Sequence, residues 1–280
     1  MNQNKPGKMH AISAVSNPRI KSVRALSQKK HRDETGTFLV EGLKLVRDAF
    51  EAGWRVETLI FARHSGLSED FDAFAARVRV KGGDVLEVTE KVLSTITRKD
   101  NPQTVVAVID KQWATAPQSV LDSQTVWIGL DRIRDPGNLG TIIRTADAAG
   151  VDGVILIGET TDPFSLEATR ATMGSIFNVP LVRMSELEFL TWKKTWNGQT
   201  IGTHLEGAKD FRSIDYGSKP VLLVMGNEQK GLTPELAEAC DTLALIPMNG
   251  RADSLNLAIA TGVFLFQMGK KLPPVTDGMT

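Results

Sequence analysis

Asn138 and Arg144 stand six residues apart in DRIRDPGNLGTIIRTADAAG (131–150), Glu228 and Lys230 in GNEQKGL (226–232), and Ser254 and Asn256 in PMNGRADSLN (247–256). Each stretch follows a short apolar run: Val126, Trp127, Ile128 and Leu130 before the first, 221–225 before the second, 243–246 before the third. A strand, a glycine-bearing turn and a helix together make a ligand-binding corner, because unpaired backbone N–H groups at the helix start face whatever sits there. In an open parallel sheet, ligands bind beyond the carboxyl ends of the strands. Three such loops can therefore converge on one pocket. Taken singly, each residue also has a plainer role. Asn138 or Ser254 can cap a helix, Arg144 can salt-bridge on a helix surface, and Glu228 can be a surface turn residue. The three stretches together, in this order, favour a shared site.

Several chemistries are excluded by the letters. No G-x-x-x-x-G-K-[ST] occurs, so a phosphate loop of the NTPase type is not expected. Gly137-Asn-Leu-Gly140 is not G-x-G-x-x-G, and Glu159, about twenty residues on, carries no weight as a ribose-binding acid without those glycines. No G-x-S-x-G elbow appears. Cys240 is the only cysteine, and His10, His31, His64 and His204 show no metal-ligand spacing. An internal disulfide and a metal site are thus not expected. No apolar run approaches the roughly 20 residues that span a bilayer. The basic N-terminus lacks the apolar core of a secretory signal. A cytoplasmic, metal-free protein is the simple expectation.

The elements that must position these loops divide the 280 residues into two α/β regions. With 41% hydrophobic residues the composition is ordinary for a globular protein. Residues 1–15 lack periodicity and read as a disordered basic tail. The N-terminal domain spans 16–112. A short helix is expected at 17–30, then strands at 36–40, 56–62, 84–88 and 104–110 alternating with helices at 41–53, 68–80 and 90–96, the pattern of a small α/β domain. A linker is expected at 113–124. The C-terminal domain, 125–272, holds strands at 126–130, 153–157, 200–203, 221–225 and 243–246, with a short one near 179–181. These runs do not alternate, as expected for parallel strands buried on both faces. Helices intervene at about 139–149, 165–174, 185–195 and 233–239. A last helix from about Ser254 to Lys270 is apolar nearly all round (Leu255, Leu257, Ile259, Val263, Phe264, Phe266) and is expected to be buried. Residues 273–280 read as a loose tail.

Net charge is zero, but eight of the 33 basic residues and none of the 33 acidic ones fall within residues 1–32. A basic segment on a mildly acidic body points to a polyanion partner, most plainly RNA or DNA. A solvated tail is the alternative. Lys21, Arg24, Lys29, Lys30 and Arg32 are the expected nucleic-acid contacts.

DPGNLGTIIRTADAAG, VLLVMGNEQKGL and LALIPMNGRADSLNLAIATG resemble the three ordered motifs of the SpoU (TrmH) family of RNA ribose 2′-O-methyltransferases. The resemblance covers about 125–270. SNPRIKSVRALSQKK and FLVEGLKLVRDAFEAG are similar to the substrate-binding domain of members that act on ribosomal RNA, a domain like ribosomal protein L30. The resemblance implies an α/β fold whose C-terminal segment forms a deep trefoil knot, of which the periodicity carries no sign. It implies S-adenosylmethionine as cofactor and a homodimer with the active site near the subunit interface. It places Asn138, Arg144, Glu228, Ser254 and Asn256 in the catalytic set, and Thr203, Gly226, Ile246 and Leu255 at the cofactor. A transfer-RNA ribose methyltransferase and a non-catalytic ribosome-assembly factor of the same fold remain open alternatives. The extra N-terminal domain favours ribosomal RNA by analogy.

Overall fold

Runs such as VVAVID and VLLVM, rich in β-branched residues, form strands because such side chains pack well on a pleated, buried surface. The computed structural model describes residues 5–62, 69–98, 104–118, 121–205 and 208–269. In chain order the first elements are β1 (Met9–Ile12), α1 (Pro18–Ala25), α2 (Lys29–Thr35), β2 (Thr37–Glu41), α3 (Leu43–Glu51) and β3 (Val56–Ala62). Then come α4 (Glu69–Val80), β4 (Asp84–Val88), α5 (Glu90–Thr97) and β5 (Val105–Asp110). The second half brings β6 (Val126–Asp131), α6 (Pro136–Ala148), β7 (Gly153–Ile157), α7 (Leu166–Ala171), β8 (Leu181–Met184), α8 (Glu186–Lys193) and β9 (Gln199–Thr203). It ends with β10 (Lys209–Asp210), β11 (Val221–Met225), α9 (Pro234–Glu238), β12 (Thr242–Leu245) and α10 (Leu257–Met268). No helix among the described residues is long and apolar enough to cross a membrane. The expected 273–280 tail lies outside the described residues.

The chain forms two compact units, residues 1–112 with 162–177, and residues 113–161 with 178–280. The first is built on a mixed five-stranded sheet of order β1-β4-β3-β5-β2. Its core joins Ile20 and Val23 of α1 to Leu39, Ile60, Leu86 and Val108 on the strands. The borrowed segment 162–177 is tied in by polar and aromatic contacts. Asp162 pairs with Arg32 at 2.7 Å, Arg170 with Glu41, and the Phe177 carbonyl accepts from Trp54 Nε1 at 3.1 Å. Phe164 stacks against Phe38, their centroids 4.9 Å apart.

Two expectations fail here. Within the supposed tail, Met9–Ile12 is an edge strand paired in parallel with β4. Four residues are too few to show a period, and the partner is remote in sequence. The single helix expected at 17–30 is two, α1 stopping at Ala25 and α2 starting at Lys29. The turn between them lets Leu26 and Arg32 both reach the interior.

The second unit is an all-parallel seven-stranded sheet of order β10-β12-β9-β11-β6-β7-β8. Its central strands are buried along their whole length, as both-face coverage requires. Residues 113–118 of the expected linker run along its edge: Ala114 donates to the Leu181 carbonyl at 2.8 Å, and Trp192 Nε1 to the Pro117 carbonyl at 3.0 Å. The last helix differs from expectation. Asn256 caps it, so it begins at Leu257, and it packs on α6. Ile259 and Phe266 remain 58% and 51% exposed. An all-apolar helix carries no polar stripe to reveal which face stays outside.

Candidate active site

The strand order places β12, β9, β11 and β6 side by side and parallel, so the loops leaving their carboxyl ends are neighbours. After β6 the chain turns into α6 through Asp135, whose Oδ1 accepts from Asn138 N at 2.6 Å. Asp135 is therefore the cap, and Pro136 follows it where a missing N–H costs nothing. That frees the Asn138 side chain from capping, settling the choice left open by sequence. Asn138 Oδ1 accepts from Asn256 Nδ2 at 2.9 Å, and Asn138 Nδ2 points at Glu228 Oε1 at 3.4 Å. Glu228 also accepts from Asp135 N at 3.4 Å. Asn256 has two tasks: its Oδ1 accepts from Ala258 N at 2.9 Å and Ile259 N at 3.3 Å while its amide holds Asn138. Ser254 is exposed and makes no hydrogen bond among the described residues.

These side chains border a cavity of about 790 Å³, within the ~300–1,000 Å³ usual for small-molecule sites. Asn138, Glu228, Ser254 and Asn256 lie on its wall, and so do Thr203, Gly226, Ile246 and Leu255. Met225, Leu245, Leu257 and Phe264 supply apolar surface. Gly226 is required by packing, since a Cβ there would lie 2.5 Å from the Gly231 carbonyl carbon and from Leu232 N. The loop can thus fold back on itself, Asn227 and Gly231 exchanging backbone hydrogen bonds at 3.0 Å. Gly226 N donates to Thr203 Oγ1 at 3.3 Å, joining the β9 and β11 loops. Residue type alone does not single out His204, Gln229 and Met248 among the wall residues. Each lies just beyond a strand end, which is the signal that would have found them.

Arg144 is not on this wall. Six residues along a helix is about 9 Å of rise and about 120° of rotation, so Arg144 shares α6 with Asn138 but not its face. It is exposed and has no partner among the described residues. In the first unit Lys21, Arg24, Lys29 and Lys30 are exposed, but Arg32 is not. Its side chain is 6% exposed and committed to Asp162 and to the Leu26 carbonyl at 2.8 Å. Arg32 is a structural ion pair, and its expected role as an RNA contact is withdrawn. No group of three or more potential metal ligands occurs among the described residues.

The mixed lining fits S-adenosylmethionine, a compact ligand with a flat apolar base, a sulfonium and polar ends. Apolar side chains can take the base and the polar rim the rest.

Comparison with known proteins gives the same answer. Residues 125–266 match the SpoU rRNA Methylase family, and residues 17–107 the MRM3-like substrate binding domain. An rRNA methyltransferase of Sinorhizobium meliloti is 51% identical, covering 96% of this chain and 100% of its own, with TM-score 0.89. An AdoMet-bound rRNA methyltransferase of the same organism is also 51% identical, covering 95% of this chain and 99% of its own at TM-score 0.88. The SpoU methyltransferase AviRb of Streptomyces viridochromogenes, also in complex with AdoMet, is 30% identical over 90% of this chain and 97% of that one, TM-score 0.80. A 23S rRNA guanosine 2′-O-methyltransferase, RlmP of Bacillus subtilis, is 31% identical over 93% of this chain and 99% of its own length. The fold class is that of these enzymes, the knotted α/β fold with an N-terminal α/β domain. In its motifs, its two units and its likeness along nearly the whole chain, this protein belongs to the SpoU rRNA methylase family.

Proposed function

We propose that this chain transfers the methyl group of S-adenosylmethionine to a ribose 2′-hydroxyl of 23S-type ribosomal RNA. One observation carries the reading: Asn138, Glu228, Ser254 and Asn256 meet on one cavity wall with Thr203, Gly226, Ile246 and Leu255. The bound cofactor supplies an electrophilic methyl group on a sulfonium. The protein must then align a weak nucleophile, and alignment alone is worth up to roughly 7–11 kcal/mol. Asn256 fastens α10 to Asn138, and Asn138 reaches Glu228, so the polar rim is one connected piece. Arg144 offers a planar guanidinium, whose N–H fork matches phosphate oxygens. Its role in the proposal is to grip the RNA phosphate beside the target ribose and stabilise the developing alkoxide. Ser254, its hydroxyl unspent, holds the substrate backbone.

The proposal includes a cytoplasmic homodimer with the active site near the subunit interface. Exposed Ile259 and Phe266 on α10 support it, because apolar side chains of that size gain by being covered. Lys21, Arg24, Lys29 and Lys30 serve the RNA in the first unit. Support comes from their exposure and from the substrate-binding domain match over the same residues.

The test is methylation of total RNA by the purified protein with labelled S-adenosylmethionine, resolved by RNA size. Label in large-subunit ribosomal RNA that protects one ribose from alkaline cleavage is the expected result. Label in transfer RNA alone would overturn the substrate assignment, and cofactor binding absent altogether would leave a non-catalytic factor.

A further inference from the structure

Directly after β6, Arg132 adopts φ +46. Non-glycine residues seldom occupy that region, and hold it only where surrounding structure fixes them. The fixing is visible. Arg132 forks onto Asp131, Nε to Oδ1 and Nη2 to Oδ2, both at 2.8 Å. Asp131 is 1% exposed, so its carboxylate needs this partner. The hydrogen bond to Asp131 and the charge beside it hold the guanidinium above its ordinary pKa.

Arg132 also reaches across to the β11 loop. The same Nη2 donates to the Gly231 carbonyl at 3.2 Å, and Asn227 Nδ2 donates to the Arg132 carbonyl at 2.9 Å. Asn227 Oδ1 in turn accepts from Gln229 N at 3.0 Å and Lys230 N at 3.1 Å. On the other side Arg132 N donates to the Ile157 carbonyl at 3.0 Å, and a Cβ on Gly158 would press on Arg132 Cγ at 3.3 Å. One residue thus joins the ends of β6 and β7 to the turn after β11. Arg132 does not border the cavity, whereas Gly226, Asn227, Glu228, Gln229, Lys230 and Gly231 all do.

We infer that Arg132 is a positioning residue: anchored on buried Asp131, it fixes the 226–231 turn from behind and so sets the affinity for the cofactor without touching the reacting atoms. The inference rests on the function proposed above. Two variants separate its parts. Arg132→Gly keeps the left-handed backbone at no strain but removes the guanidinium. Arg132→Lys keeps a charge beside Asp131 but cannot fork onto it and reach Gly231 together.

The experiment titrates the full chain calorimetrically with S-adenosylmethionine and measures methyl transfer at saturating cofactor, alongside thermal unfolding. Arg132→Gly should weaken binding about tenfold while kcat stays within about threefold, a KM effect rather than a rate effect. Arg132→Lys should regain unfolding temperature but not affinity. Should Arg132→Gly fail to fold, the charge-balanced Asp131→Asn/Arg132→Gly pair takes its place. Affinity within about twofold of wild type in a destabilised Arg132→Gly protein would make the pair a stability device only. A collapse of kcat at unchanged KM would also overturn the inference. Wild-type protein that binds no cofactor removes the functional reading as well, whereas normal wild-type binding with unaltered variants removes this inference alone.

Discussion

In the first unit the Arg32 guanidinium lies under the surface, held by Asp162 at 2.7 Å and by the Leu26 carbonyl. In the second, Arg144 stands exposed on α6 with no partner among the described residues. Sequence alone offers both as candidate functional cations, Arg32 among charged neighbours and Arg144 after two isoleucines. The first unit pairs several more of its charges: Arg170 with Glu41, Lys111 with Asp33 and, nearer the surface, Arg55 with Asp110. Around the cavity the pattern reverses. Asn138 is held by Asn256 at 2.9 Å but reaches Glu228 only at 3.4 Å, and Ser254 keeps its hydroxyl unspent. A satisfied polar group is holding the fold, and an unsatisfied one at a cavity mouth is available for a substrate.

The sharpest way to break that contrast is to remove the buried partner. Arg32→Ala leaves Asp162 charged and unpaired in the interior, and should cost about 3–5 kcal/mol, read as a shift of the denaturant midpoint. A midpoint within experimental scatter of wild type would put Arg32 back among free surface cations. Next in size, Arg144→Ala should lower kcat by about 100- to 1,000-fold while unfolding temperature and cofactor affinity stay put. Turnover near wild type would exclude Arg144 from the chemistry. Smaller again is a matched pair on one short loop. Asn256→Ala loses a helix cap and should cost about 1 kcal/mol, whereas Ser254→Ala should change stability by less than about 0.5 kcal/mol yet slow transfer. Equal stability losses in the two would mean that Ser254 is structural after all. The smallest effect belongs to the exposed lysines. Lys29→Glu with Lys30→Glu should flatten the salt dependence of RNA affinity by about one unit of slope per lysine lost, and an unchanged slope would leave both as solvated surface.

Much of this was legible in the letters, and the remainder was hidden for identifiable reasons. The strands of the second sheet announce themselves as unbroken apolar runs because both faces are covered. β10, two residues long, and β1, four residues long, are too short to carry a period. Asn138 and Asn256 were found by type and by place after a strand. That Asp135 rather than Asn138 caps α6 is legible as well, because an Asp directly before a proline is a helix-start signal. Arg32 was misjudged because its partner lies 130 residues away. A charge count sees density but not distance. Arg132 was passed over for a related reason: its importance lies in a backbone angle and in a contact to Gly231, 99 residues on.

The segment 162–177 belongs with residues 1–112, although it is made after β6, α6 and β7. Proteins are synthesised from the amino end, and domains ordinarily close in that order. Here the first unit includes a segment made later. Until Asp162, Phe164, Arg170 and Phe177 have left the ribosome, Arg32, Phe38, Glu41 and Trp54 lack the partners they have in the finished protein. The substrate-binding region is therefore completed only after the first two strands of the methyltransferase sheet exist. A fragment cut at residue 112 would keep its apolar core but lack these four contacts.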